Sequence, residues 1–528
     1  MKRKWVANFC VACITIVSVS GISGCGSGWG DSGRGQSNDP DAVQVSAVRL
    51  GYGLDWLYDV AEAFTADTGI PVNITQLVGQ QGNATLQTEV KSLASDADVF
   101  IYQEGSFFQR VYEGEIRVDG KSYSNVFADL TDIYQEEYEG ENGATMESKM
   151  EESMREYLNV DGHYYSVPWI DGKMGLLVNM DVWTQLGFTA EDIPLTTDEM
   201  FEVCDEIKAQ EIAPFIYSLS DQYYSSVSPL WFYQYEGEEN MAKFDSGLDP
   251  DGQGTEYLYT YDGQLEAMKV LERLISRSNG YQHTASESID FTSMQSYFLA
   301  GQAVFCMNGA WIEIEMGENY GDANVEFYRV PVISSLVNKL SFKSSDAAAD
   351  DDKLHELIVY VDAHPEKGDN ADKPAYATDE DVERVRYARH YACVTNSPVH
   401  HMMASSYSPR LDSAKQLIKY LYSDKGMKIY YNALNGSGLP ATLSSGEYDD
   451  IELSVFRQSV NKIPFDQVGL CPRKAKVYSL GGVDVRFGNG VSGGLVSAML
   501  RGSSASEIIT MNQNYISQNW STIKARFS

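Results

Sequence analysis

Between Val43 and Tyr102, short apolar runs alternate with amphipathic helical faces, and this alternation restricts the fold more than any other feature of the chain. Residues 43–50 alternate in the manner of a strand and run into a glycine-flanked loop, Gly51-Tyr52-Gly53. Leu57, Val60, Ala61 and Phe64 then fall at i, i+3, i+4 and i+7, one face of a helix. Thr68-Gly69 closes that helix, and residues 70–74 return as strand. Gln81-Gly82-Asn83 reads as a turn, 86–93 as a helix and 98–102 as a third strand. Such an order favours a doubly wound α/β lobe. The loops that follow its strands share one edge, where ligands bind in open α/β sheets. Tyr52 and Trp56 are therefore expected beside Gln103 and Glu104.

The same pattern continues further on. Residues 164–167 read as a strand that reaches Pro168-Trp169-Ile170-Asp171-Gly172, and 176–179 as another. Thr196-Thr197-Asp198-Glu199 is a capping box, which starts a helix faced by Met200, Val203, Cys204 and Ile207. An aromatic cluster that includes Trp231, Phe232, Tyr233 and Tyr235 is either core or ligand platform. Met294, Tyr297 and Phe298 mark a helix ending at Gly301, and 303–307 is an apolar run of buried-strand length. Asn308-Gly309 breaks that run, and Trp311 follows within reach of the strand end, with Glu313 and Glu315 behind it. A Trp placed there can lie flat on the apolar face of a sugar ring while Asn and Glu bond its hydroxyls. The plain alternative is a helix-start Trp packed into the core. Residues 346–353, acid and alanine, read as an exposed loop. Ala414, Leu417, Ile418 and Leu421 mark a late helix, and Ser504-Ala505-Ser506-Glu507 caps the last one.

The N-terminus bears on compartment. Lys2-Arg3-Lys4 precede a mostly apolar stretch from Trp5 to Ser20, shorter than a spanning helix needs, and Ile22-Ser23-Gly24-Cys25 follows. This reads as an export signal, with Cys25 either lipid-modified or left plain. Residues 26–44, rich in Gly, Ser and Asp, suit a flexible tether. A formal net charge of −35 repels nucleic acid and anionic bilayers, so nucleic-acid partners are set aside. Cys204, Cys306, Cys393 and Cys471 are far apart, with no CxxC and no His at metal spacing; buried thiols are expected, with a disulfide left open. No metal or other cofactor is called for. Asp249-Pro250-Asp251-Gly252 only faintly resembles a calcium loop, because Thr260 stands where a bidentate Glu belongs.

Taken together, the blocks resemble the solute-binding lipoproteins of bacterial ABC importers. The resemblance rests on the signal with its small residues before Cys25, and on Thr68-Gly69-Ile70-Pro71-Val72. It rests further on Val167-Pro168-Trp169 followed by Leu177-Val178-Asn179-Met180-Asp181, and on the Pro194 to Glu199 helix start. Phe298-Leu299-Ala300-Gly301-Gln302-Ala303 through Trp311 is similar to the block whose Trp, in the maltose-binding-protein branch, lies against sugar. The resemblance implies an α/β, two-lobed, periplasmic-binding-protein-like clamshell with a hinge of crossing strands. It implies a signal peptide over 1–24 and a lipid-anchored linker over 25–45. Lobe 1 would take 46–168 and 332–430, and lobe 2 would take 169–331 and 431–528.

The function so implied is capture of a carbohydrate, an oligosaccharide, between the lobes, and its delivery to a permease with no chemistry on the ligand. The protein would be a monomer held to the extracellular face of the cell membrane through Cys25. The ligand would meet Tyr52, Trp56, Gln103 and Glu104 from one lobe, Trp231, Asn308 and Trp311 from the other, and Trp169 and Asp171 near the hinge. Two alternatives stand beside this: a binder of a polyamine, peptide or other small solute, and a lipid-anchored glycoside hydrolase using a pair such as Glu313 and Glu315.

Overall fold

The structure, a computed structural model, describes residues 34–92, 95–103, 117–118, 121–122, 126–219, 224–254, 256, 260–470 and 495–525. The chain enters through β1 (Val43–Arg49), α1 (Asp55–Thr68), β2 (Val72–Val78), α2 (Gly79–Ser92) and β3 (Val99–Gln103). It continues through α3 (Glu152–Leu158) to β4 (Val167–Pro168) and then crosses into a second body. There it forms β5 (Lys173–Asn179), β6 (Ala213–Phe215), α4 (Tyr224–Asp245), α5 (Phe291–Leu299), β7 (Ala303–Gly309) and β8 (Val325–Tyr328). After α6 (Ala347–Ala363), α7 (Asp379–His390) and β9 (Val394–Thr395) it returns to the first body with β10 (His400–Ala404), α8 (Leu411–Leu421) and α9 (Asp424–Ala433). A third crossing leads to α10 (Val455–Asn461), β11 (Gly469–Leu470) and α11 (Ala505–Ala525).

Each body is built on its own sheet. The first has strand order β2-β1-β3-β10-β4, with β1 parallel to β2 and β3 and with β10 antiparallel to β3. The second has order β11-β9-β5-β7-β6, and β8 pairs with β5. Parallel β1 and β3 end at one edge, as the alternation of strand and helix predicts. All seven residues of β7 are buried, because it lies between β5 and β6 with helices over its faces. In α1 the predicted face, Leu57, Val60, Ala61 and Phe64, is buried together with Trp56. Gly69 closes α1 in the left-handed conformation, φ 75°, and donates its N–H to Thr65.

Two local expectations change. Gln81, Gly82 and Asn83 lie inside α2 instead of in a turn, since burial of Leu86 and Val90 favours extending the helix upstream. Residues 346–353 are the start of α6 and not a loop. Asp346 is its N-cap, accepting from the Ala349 N–H, and buried Asp350 accepts from Ser344. Acidic side chains suit the positive end of a helix, so a run that looks soluble in sequence serves as a helix start.

The expected lobe boundaries also move. Val332, Leu336, Leu357 and Val385 belong to the second core, and Thr395 pairs with Lys173 of β5, so residues 332–395 lie with lobe 2. Leu434, Leu439 and Leu443 belong to the first core, which extends lobe 1 past residue 430. Neither crossing is marked by a change of composition, and the α6–α7 pair packs on α4 of the second lobe.

The first two crossings are hydrogen-bonded to each other. Trp169 donates its N–H to the His400 carbonyl at 3.3 Å, Gly172 donates to Ser397 Oγ at 3.0 Å, and Asn396 donates to the Gly172 carbonyl at 3.2 Å. A Cβ on Gly172 would sit 1.9 Å from Asn396 Oδ1, so only glycine allows the two segments to lie this close. Cys204, Cys306 and Cys393 are buried free thiols, while Cys471 and Cys25 fall outside the described residues. Among the described residues no helix is long and apolar enough to cross a membrane.

Candidate functional site

The lobes meet where the loop after β1 faces the loop after β7. The β7 strand stops at Gly309, and Trp311 is the residue before the five-residue helix Ile312–Met316. The indole folds back over the strand end: a Cβ on Gly309 would lie 2.1 Å from the ring. Trp311 is half-buried and packs against both hydrophobic cores. Tyr52, from the other lobe, meets it edge to face. A Cβ on Gly51 would lie 3.4 Å from the Trp311 ring and 3.1 Å from Glu315 Oε1, so glycine again permits the approach.

Polar groups surround this aromatic contact. The Tyr52 hydroxyl donates to the Asp171 carbonyl at 3.2 Å, and burial raises its pKa above the usual phenol value. Lys173 Nζ pairs with Asp171 Oδ2 at 2.9 Å, with both side chains largely buried. Arg457, at the start of α10 and buried, donates Nη2–H to the Ala310 carbonyl at 3.0 Å; its Nε lies 4.0 Å from Glu313 Oε2, too far for a hydrogen bond. Glu315 accepts from Gln295 Nε2 at 2.7 Å, and burial raises its pKa. Asp171 Oδ1, Arg457 Nε, Glu313 Oε2 and the Tyr430 hydroxyl are buried with no hydrogen-bond partner, and Ser437 faces Tyr52. Buried polar atoms are satisfied as a rule, so a group of them at one boundary marks a place suited to a partner rich in hydroxyls. Both cations face a carboxylate, Lys173 with Asp171 and Arg457 with Glu313, while the third carboxylate, Glu315, is held by neutral Gln295.

Of the residues singled out in the sequence, the structure brings Tyr52, Asp171 and Trp311 together here. Three indoles do not join them. Trp56 is fully buried and stacked on Trp169, ring centroids 5.5 Å apart, within the first core. Trp169 is equally buried and donates Nε1–H to the Tyr102 carbonyl, so it stiffens the hinge from beneath. Trp231 sits in the second core, with its indole N–H on the Pro331 carbonyl. Trp56 and Trp231 lie on buried faces of their helices and Trp169 in the crossing after β4, and burying these rings outweighs presenting them to a ligand. Asn308 is buried at the end of β7, where its Oδ1 accepts from the Gly309 N–H. Gln103 ends β3, its backbone paired with His400, and Glu104 lies outside the described residues. Glu313 and Glu315 diverge, one toward Arg457 and the other onto Gln295.

Sequence reasoning missed Lys173, Tyr430, Ser437 and Arg457. Lys173 opens an apolar strand and was hidden by it. Ser437 lies in the conspicuous run Asn435-Gly436-Ser437-Gly438, and that run was the available signal. Nothing local distinguishes Tyr430 or Arg457.

A family model described as bacterial extracellular solute-binding protein matches residues 59–454. No curated protein matches the chain. Solved structures with similar folds include a chitin oligosaccharide binding protein, with TM-score 0.60 and 16% identity, covering 90% of this chain and 99% of the other. The apo form of RafE from Streptococcus pneumoniae gives TM-score 0.58 at 13% identity, over 91% of this chain and 99% of RafE. Maltose-bound T. maritima MalE3 gives 0.56 at 14%, over 90% of this chain and 99% of its own.

Proposed function

This chain belongs to the bacterial extracellular solute-binding proteins, and on that premise we propose that it captures a carbohydrate, an oligosaccharide, between its lobes and hands it unaltered to an ABC permease. The observation that carries the reading is the half-buried Trp311, set between the lobes beside Tyr52 and ringed by unpartnered buried polar atoms. A flat indole supplies apolar contact to a sugar face, and Asp171, Ser437, Tyr430 and Arg457 supply directional bonds to its hydroxyls. With both cations already facing carboxylates, the contact suits an uncharged polyol better than an acidic solute. The names of the similar solved structures, a chitin oligosaccharide binder and RafE with raffinose, agree with that class.

The lobes would close on the ligand about the paired crossings at 169–173 and 395–400, and the closed form would be the one a permease recognises. Cys25 would carry the lipid that holds a monomeric protein at the extracellular face, with residues 26–44 as tether. The test is titration of the purified protein with a panel of neutral oligosaccharides, following Trp fluorescence and heat. Saturable binding with a change in Trp emission is the expected result, and no binding across the panel would remove the carbohydrate assignment.

A further inference from the structure

A cavity of about 770 Å³ opens at a different part of the lobe boundary and shares no residue with the site around Trp311. Its volume falls within the range of small-molecule sites, roughly 300–1,000 Å³. One wall is α3 of the first lobe, through Glu156 and Tyr157; the others come from α4, from α7 and from the segment ending in β11. Leu470, in that last wall, pairs with Thr395, two residues before the hinge residue Ser397, so the cavity abuts the crossing strands.

Its chemistry is one-sided. Tyr233, Tyr387 and Tyr391 form an aromatic lining, with Tyr391 5.1 Å from Tyr233 and 5.0 Å from Tyr387 by ring centroids. Of the two cations on the walls, Arg386 is held by Glu383, Asn370 and two carbonyls, and Lys367 is exposed, 3.9 Å from Glu238. Burial holds the His390 imidazole down to about 4, so it adds no positive charge near neutrality. Carboxylates remain in excess: Glu156 and Glu366 form no ion pair with the described residues, and Asp466 has only Arg329, which donates to the Gln467 carbonyl, as counter-charge. A second hollow of about 380 Å³ shares Glu238, Glu383 and Tyr387 with the first and adds Glu380, Asp379 paired with Lys373, and one cation, Arg384, which donates to the Tyr235 carbonyl. Tyrosine rings beside an excess of carboxylates attract a cation and repel an anion, and the chain's −35 charge acts in the same sense.

We propose that this cavity is a second ligand site, which takes a small organic cation: an aliphatic amine whose apolar stem lies on the tyrosines while its ammonium groups face Glu156, Asp466 and the neighbouring carboxylates. Both lobes form its walls, so its occupancy and closure of the lobes bias each other, and this coupling is reciprocal by necessity.

The test is calorimetric titration of the full chain with putrescine and with 1,4-butanediol, a neutral diol of the same length. Saturable binding of putrescine, with butanediol at least tenfold weaker, is expected. The exposed pair Glu156→Gln/Asp466→Asn should weaken putrescine about tenfold at unchanged thermal stability, and Trp311→Ala should change it by less than threefold, through lobe closure alone. Absence of saturable putrescine binding, or equal affinity for the diol, overturns the proposal. So does a loss of putrescine binding in Trp311→Ala with none in the carboxylate pair, which assigns the amine to the interlobe site. Failure of the oligosaccharide panel touches none of these outcomes.

Discussion

The Tyr52 ring of the first lobe meets the Trp311 ring of the second edge to face, with centroids 6.4 Å apart and planes inclined by 64°. A glycine lies beside each ring: a Cβ on Gly309 would collide with the indole at 2.1 Å, and one on Gly51 would crowd it at 3.4 Å. The contact therefore depends on how the lobes are disposed, and it ties the aromatic surface of the proposed site to the closure coordinate.

Trp311→Ala removes the ring that both lobes share. Loss of about 2 kcal/mol of ligand binding, roughly 30-fold in affinity, is expected from deleting a central aromatic anchor. Calorimetry with the oligosaccharide identified by the panel measures it. An unchanged affinity would mean that Trp311 only packs.

Gly309→Ala acts on the same ring from below. The new methyl would lie 2.1 Å from the indole, so the ring must swing out, at a cost of about 1–3 kcal/mol for overpacking. The variant should fold with a lowered midpoint, altered Trp emission and weaker ligand binding. Wild-type affinity in a folded Gly309→Ala protein would show that the ring orientation is unimportant.

Trp231→Ala separates core from site. This indole is fully buried in the second lobe and donates to the Pro331 carbonyl, so its removal should cost about 3–5 kcal/mol of stability. The protein that remains folded should bind ligand with near wild-type affinity. Denaturant melts together with binding measured below the transition check both halves.

The hinge histidines predict a direction with pH. Burial holds His400 down to about 4 and His401 to about 3, both below the ordinary 6.5. As pH falls through 6.5 the unfolded chain takes up protons that the folded chain refuses, so stability is lost progressively down to about pH 4. Raised groups such as Glu315, which gains a proton more readily when folded, oppose this in part. Melting midpoints should fall from pH 7 to pH 4.5, and His401→Gln should flatten the slope. A slope unchanged in His401→Gln would contradict the burial of this ring.

Much of the architecture is legible in the linear order of residues. The apolar spacing in α1 and α8, the capping boxes at Thr196 and Ser504, and the apolar run of β7 are local signals, and each element formed close to where its signal lies. Family membership followed from the order of such blocks. Trp311 could be singled out because an aromatic residue just past a buried strand is conspicuous by position alone.

What the sequence could not decide is which side of a buried face a Trp ends on, or which core a segment joins. Trp56, Trp169 and Trp231 look as suited to a ligand as Trp311 does, yet they are sealed in cores, because burial depends on what packs opposite them. Ser437 reaches Tyr52 from the run after α9 in the same lobe, and Arg457 reaches Ala310, beside Trp311, only because a third crossing carries the chain back to the second lobe. Residues 332–395 chose the second lobe through contacts with α4 and β5, which are remote in sequence. Periodicity is fixed by neighbours a few residues away and can be read along a line; a site assembled from distant segments exists only once the chain has folded.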